Sequence, residues 1–71
     1  MNTYKAIVTG KEGNWYVVEI PQLGRDAVTQ AIRLEEVEDE AIDYIAVTLD
    51  IEPGSFNVEV EVRSTDVSES L

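Results

Sequence analysis

The sequence predicts a small α+β domain in which a four-stranded, mainly antiparallel sheet carries one helix on one face. Two observations support this fold class. Apolar and polar residues alternate, as in strands, before residue 31 and again over residues 56–63. Between these regions, apolar residues recur every three or four positions, as in a helix. The predicted order is therefore β-β-β-α-β, with one domain over residues 1–63 and a flexible polar tail over residues 64–71.

The first two strands are predicted over residues 3–11 and 14–20, TYKAIVTGK and NWYVVEI. Gly13 lies between them in KEGN, which suits a short hairpin loop. Successive side chains of a strand point to opposite faces of its sheet. Both faces of the second strand are therefore partly apolar, with Trp15, Val17 and Glu19 on one face and Tyr16, Val18 and Ile20 on the other.

A fixed turn is predicted at PQLG, directly after the second strand. Pro21 has no backbone N–H and cannot continue a central strand, whereas Gly24 permits a positive φ. We therefore assign Pro21 and Gly24 as the residues that define the turn. The turn sets the register of a third short strand over residues 27–31, and a shift of one residue there would exchange its two faces.

The segment RLEEVEDEAIDYIAVTLD changes to a helical period and predicts a helix from about Leu34 to Leu49. Acidic residues crowd its first two turns, where the positive end of the helix dipole favours carboxylates. The sequence IEPGS ends the helix. Its apolar stripe consists of Leu34, Val37, Ala41, Ile45 and Leu49.

The last strand is predicted in FNVEVEVR, residues 56–63, where Phe56, Val58, Val60 and Val62 share one face. A strand reached across a helix rejoins its sheet in parallel through a right-handed crossover, so we expect this strand beside the first. One helix then covers one face of the sheet. The opposite face is left bare, and we expect some apolar area to remain open to a partner, because the two sides share between them Trp15, Tyr16, Tyr4, Ile7 and Ile20.

The charge of the chain is strongly negative, since 15 acidic residues oppose 5 basic ones for a formal net charge of −10. Such a chain repels phosphate backbones and anionic lipids, so we expect no direct binding to nucleic acid or to membranes. The acidity serves either solubility or a basic partner. The absence of cysteine fits a reducing cytoplasm, where we expect the protein, and no segment approaches the ~20 apolar residues that span a bilayer.

The residues indicate no catalytic, metal or cofactor site. Without a histidine, the Ser and Thr hydroxyls lack the usual activating base. The helix carboxylates fan around a solvent-facing turn, whereas a Mg²⁺ site needs carboxylates that converge. We therefore expect a non-enzymatic binding domain without a cofactor. Its candidate interface with a partner or a second subunit consists of Trp15, Tyr16, Glu35, Glu36, Glu38 and Asp39.

The hairpin and turn GNWYVVEIPQLG, followed by TQA and the helix start RLEEVEDEAIDYI, resembles the N-terminal domain of HicB-like antitoxins. The resemblance spans about residues 4–62. It implies a partial ribonuclease H-like fold and binding of a small, basic, RNA-cleaving toxin of the HicA type, which has a double-stranded-RNA-binding-like fold. It matches Pro21, Gly24, Thr29 and Gln30 to the family's turn and strand, and Leu34, Glu35 and Glu36 to its helix start.

The sequence departs from this family in three places. Gln22 and Leu23 replace an acidic residue and a second proline in the turn, and Arg33 replaces a residue able to cap the helix. No residues remain for the C-terminal DNA-binding module of full-length members, so operator binding is not expected. Two functions stay open: neutralisation of a toxin, or an orphan homodimeric domain whose partner is not a toxin. In either case we expect a dimer.

Overall fold

The computed structural model describes residues 2–63; the predicted tail, residues 64–71, lies outside the described residues. The strands and the helix follow the predicted order β-β-β-α-β, so the α+β fold class is confirmed. They are β1 (Asn2–Glu12), β2 (Trp15–Glu19), β3 (Val28–Ala31), α1 (Val37–Leu49) and β4 (Phe56–Val62). The predicted start of the helix, Leu34–Glu36, forms a 3₁₀ turn instead of a part of α1.

The sheet has the strand order β3-β2-β1-β4. β1 pairs antiparallel with β2 and parallel with β4, and β2 pairs antiparallel with β3. The last strand therefore lies beside the first, as the crossover argument predicts. β1 and β2 are the inner strands, and β3 and β4 are the two edges.

The core lies between α1 and the helix-facing side of the sheet. Val37, Ala41 and Ile45 are fully buried there, as the apolar stripe predicts. The prediction is wrong for Leu49, which is exposed. Each four-residue step overshoots a turn of 3.6 residues by roughly 40°, so the stripe has rotated away from the sheet by the end of the helix. Ala46 is buried instead, where the chain folds back and the Ile51 N–H donates to the Ala46 carbonyl at 3.0 Å.

The helix covers only the beginning of β4. Phe56 is buried, and its ring meets that of Tyr4 edge to face, with 5.6 Å between centroids. Val60 and Val62 lie on the same face of the strand but are exposed. The alternation of β4 was thus predicted correctly, although only its first half contributes to the core.

The PQLG turn has the geometry that its two special residues favour. Pro21 opens a 3₁₀ turn, in which the Gly24 N–H donates to the Pro21 carbonyl at 3.1 Å. Gly24 has φ of +123°, a conformation that side chains rarely permit. The Ile20 N–H then donates to the Ala27 carbonyl at 2.9 Å, which leads the chain into β3.

The side chain of Gln22 extends the hydrogen bonding of β1 beyond the end of β2. The Lys5 N–H donates to Gln22 Oε1 at 2.8 Å, and Gln22 Nε2 donates to the Thr3 carbonyl at 3.1 Å. β2 has already ended at Glu19, the residue that pairs with Ile7. The side-chain amide of Gln22 thus accepts and donates as the peptide group of a further strand residue would. A carboxylate at this position could only accept.

Gly24→Ala is expected to lower the free energy of unfolding by about 1–3 kcal/mol, because a Cβ strains backbone held at this φ. No heavy atom lies within 4 Å of the added Cβ, so the cost comes from the backbone alone. Urea denaturation measures it. Gly54→Ala is the matched control, since its Cβ also meets open space but its φ is not positive. Equal stability of the two variants would contradict this account.

Gln22→Glu is expected to cost about 0.5–1.5 kcal/mol at neutral pH, because a carboxylate still accepts from Lys5 but faces the Thr3 carbonyl without a proton. The loss should shrink below about pH 4, where a protonated carboxyl can donate again. Thermal melts of this variant and the wild type across pH measure the difference. A penalty that stays constant with pH would show that the donation to Thr3 contributes nothing.

Candidate protein-binding surface

Two shallow depressions lie side by side between the edge strand β3 and α1. Their volumes are about 340 Å³ and about 190 Å³, and Glu40 lines both. We call the continuous surface that they form the β3 groove. It combines three exposed apolar side chains, Trp15, Ile32 and Val47, with three carboxylates, Glu36, Glu40 and Asp43.

The apolar side chains of the β3 groove come from three different elements. Trp15 begins β2 and is 42% exposed, Ile32 follows β3 and is 63% exposed, and Val47 is 82% exposed on the flank of α1. Large apolar side chains surrounded by polar ones are typical of surfaces that bind other proteins. Trp15 in particular has the size and exposure of an interface anchor.

The carboxylates of the β3 groove share one flank of the helical segment. Glu36, Glu40 and Asp43 are three or four positions apart, a spacing that places side chains on the same side of a helix. No basic residue lines either depression. Within residues 2–63 both ion pairs involve Glu61 on β4, so the carboxylates of the groove have no basic partner in the described part of the chain.

The structure separates the predicted interface residues into three groups. Trp15 and Glu36 come together in one depression of the β3 groove. Tyr16 is only 9% exposed and belongs to the core, with the Lys11 ammonium 5.3 Å from the centre of its ring. The remaining three, Glu35, Glu38 and Asp39, are exposed but do not line the groove.

Sequence reasoning missed Ile32, Glu40, Asp43 and Val47 as residues of the groove. Glu40 and Asp43 had a usable signal, because they lie four and seven positions after Glu36 and therefore near the same helix flank. Ile32 and Val47 carried no such signal. Their place in the groove depends on α1 packing beside β3, which only the tertiary structure gives.

The outer face of the sheet, opposite α1, carries both apolar and charged side chains. Ile7 points to this face but is only 4% exposed, and its neighbours in register are Glu19 and Glu61. Glu61 accepts a hydrogen bond from Arg63 Nε at 2.7 Å and lies 3.3 Å from Lys5 Nζ. Long charged side chains thus flank Ile7 on both sides, whereas Val28, which pairs with Glu19 on the same face, is 41% exposed.

Two further findings concern the described residues. No group of three or more carboxylates within residues 2–63 is arranged so that it could hold a metal ion. In the same part of the chain, no helix has the length and apolar character needed to cross a bilayer.

Comparison of the chain with protein-family models, with curated proteins and with solved structures finds no match. The resemblance to HicB-like antitoxins therefore rests on the motifs of the sequence, and any function derived from it is a proposal.

Glu61 provides a test of the charged cluster on the outer face. The hydrogen bond from Arg63, and then that from Lys5, lowers the pKa of the Glu61 carboxyl below its ordinary value. A lowered pKa in the folded state stabilises the fold above the unfolded pKa, and this stabilisation is lost as pH falls through the folded pKa. NMR titration of the Glu61 carboxyl should show the low pKa, and Arg63→Ala should raise it. An unchanged pKa in Arg63→Ala would contradict the assignment.

Proposed function

We propose that the protein is a non-enzymatic binding domain that acts as a HicB-type antitoxin and neutralises a small basic RNA-cleaving toxin. The observation that carries this proposal is the β3 groove, in which exposed apolar side chains lie among carboxylates without a basic residue. Its charge and its apolar area together suit a basic protein surface.

The mechanism follows from what an RNA-cleaving protein must display. Its catalytic groups lie on a basic surface, because that surface has to bind phosphates. Glu36, Glu40 and Asp43 can occupy the positions that phosphates would take on such a surface. Trp15 and Ile32 then bury apolar area beside them, so the toxin is blocked both electrostatically and sterically.

The net charge of −10 supports the same proposal through association kinetics. A strongly acidic domain attracts a basic partner over distances of about a Debye length, which raises the association rate at low salt. We therefore expect the association rate constant to fall as salt is added, while the dissociation rate constant depends mainly on contacts such as that of Trp15.

Trp15→Ala is expected to weaken binding of the basic toxin roughly thirtyfold, because an aromatic anchor typically contributes about 2 kcal/mol or more to an interface. The partner to be tested is any small basic protein that a neighbouring reading frame is found to encode. Calorimetry measures affinity, and cleavage of RNA by the toxin with and without this protein measures inhibition. Trp15→Ala should keep the thermal stability of the wild type, since Trp15 is partly exposed.

Two control variants separate binding from folding. Tyr16→Ala should unfold the domain or destabilise it by about 3–5 kcal/mol, because Tyr16 is buried in the core. Val62→Ala removes apolar surface at the opposite edge of the sheet and should leave affinity unchanged. If Trp15→Ala binds the toxin as the wild type does, the β3 groove is not the toxin site. If the wild type forms only a homodimer and binds no basic neighbour, the orphan-domain alternative is correct.

A further inference from the structure

We propose that the partner docks by strand addition, in which an extended basic segment pairs with the open edge of β3 and places its Lys or Arg side chains in the β3 groove. This inference rests on the proposed function and specifies how the partner is held.

The backbone of β3 offers hydrogen-bonding groups on its open side. In antiparallel pairing, hydrogen-bonded and non-hydrogen-bonded residue pairs alternate. The Ile20 N–H donates to the Ala27 carbonyl, so Thr29 and Ala31, opposite Val18 and Tyr16, also direct their N–H and C=O groups toward β2. Val28 and Gln30 must then direct theirs away from the sheet. Neither residue has a partner for these groups within residues 2–63.

The edge formed by β3 is only four residues long, but it carries no charged side chain, proline or bulge to prevent strand addition. Protein edges are commonly protected by charged side chains, prolines or bulges. β3 reads VTQA and contains none of these. The other edge, β4, carries Glu59 and Glu61, and Glu61 is paired with both Lys5 and Arg63. The two edges therefore differ, and β3 is the one open to a further strand.

The β3 groove determines which side chains the added strand should carry. Side chains of that strand on the helix side would reach the depressions lined by Glu36, Glu40 and Asp43. Alternate strand residues are roughly 6.6 Å apart, whereas helix residues four and three positions apart rise roughly 6 Å and 4.5 Å, so the spacing of alternate basic side chains is close to that of Glu36 and Glu40 and somewhat wider than that of Glu40 and Asp43. On the outer face, the added side chains would lie beside Val28 and Gln30. The segment that fits best alternates basic with apolar or β-branched residues.

A second copy of this chain fits the same edge poorly. Antiparallel pairing of two β3 strands about a twofold axis would place both helices on the same face of a continuous sheet. Their carboxylates, Glu40 and Asp43, would then approach their own copies with no basic residue between them. Like charges across an interface are unfavourable, so charge complementarity selects a basic segment.

The test uses a synthetic peptide in which lysine alternates with valine and threonine, added to the full chain. NMR should show that hydrogen exchange of the Val28 and Gln30 amides slows at least tenfold on binding. The Thr29 and Ala31 amides, which already pair with β2, should change little. The same peptide N-methylated along its pairing edge, and a version with glutamate in place of lysine, should each bind at least tenfold more weakly.

Variants of the protein isolate the backbone and the charge. Gln30→Pro removes the outward N–H without removing a hydrogen bond to β2. This variant should therefore fold but bind the peptide at least tenfold more weakly than the wild type. Gln30→Ala keeps the N–H and removes only a side chain that lines the β3 groove, so it should bind the peptide at least tenfold more tightly than Gln30→Pro does. Glu40→Lys should weaken binding at least tenfold, whereas Glu59→Lys, with the same change in charge but on the other edge, should not. If Gln30→Pro does not fold, the N-methylated peptide still decides the backbone question.

Equal binding of the peptide to folded Gln30→Pro and Gln30→Ala, or of the methylated and unmethylated peptides, would overturn strand addition. A homodimer that Gln30→Pro converts to a monomer would assign the edge to a second copy and would also overturn it. If the toxin binds wild type and Gln30→Pro alike, strand addition fails while the proposed function stands. If the peptide binds as expected but no basic neighbour is neutralised, strand addition is supported and the antitoxin function fails.

Discussion

Strand β1 is the element on which the other parts of the fold depend. It has β2 on one side and β4 on the other, and its residues Ala6 and Val8 have no exposed surface. One helix is wide enough to cover only part of a four-stranded sheet, so the core concentrates over the inner strands. The edges receive less cover, which leaves Val60 and Val62 exposed on β4 and opens the groove beside β3.

The two edge strands of the sheet differ in charge and ion pairing, and this difference links the fold to the proposed function. On β4, Glu61 forms ion pairs with Lys5 of β1 and with Arg63 just after β4. β3, in contrast, is short, uncharged and bordered by helix carboxylates without basic partners in the described residues. A domain with so small a core gains little from leaving apolar side chains such as Ile32 and Val47 in water. Their exposure is readily understood if another protein covers them.

Much of the fold could be predicted from sequence because the period of the apolar residues differs so clearly between strands and helix. The period correctly gave the faces of β2, the fully buried residues Val37, Ala41 and Ile45, and the alternation of β4. It could not tell how much of the sheet the helix covers, so it wrongly placed Leu49 in the buried stripe and gave no sign that Val62 is exposed. The groove was harder still, since it joins residues from β2, β3 and α1 that are near only after folding. Gln22 was read as a departure from a family motif, and its bonds to Thr3 and Lys5 depend on a contact distant in sequence.

The pairing of β1 with β4 also determines when the domain can be completed during translation. Asn2 pairs with Phe56, 54 positions later, so β1 has left the ribosome long before its parallel neighbour is made. At about 5–20 residues per second, β1 waits several seconds with one side unpaired. The hairpin with β2 can form early, but the sheet closes only when β4 emerges. A nascent chain stalled before residue 56 would therefore present β1, an inner strand of the mature domain, as a free edge.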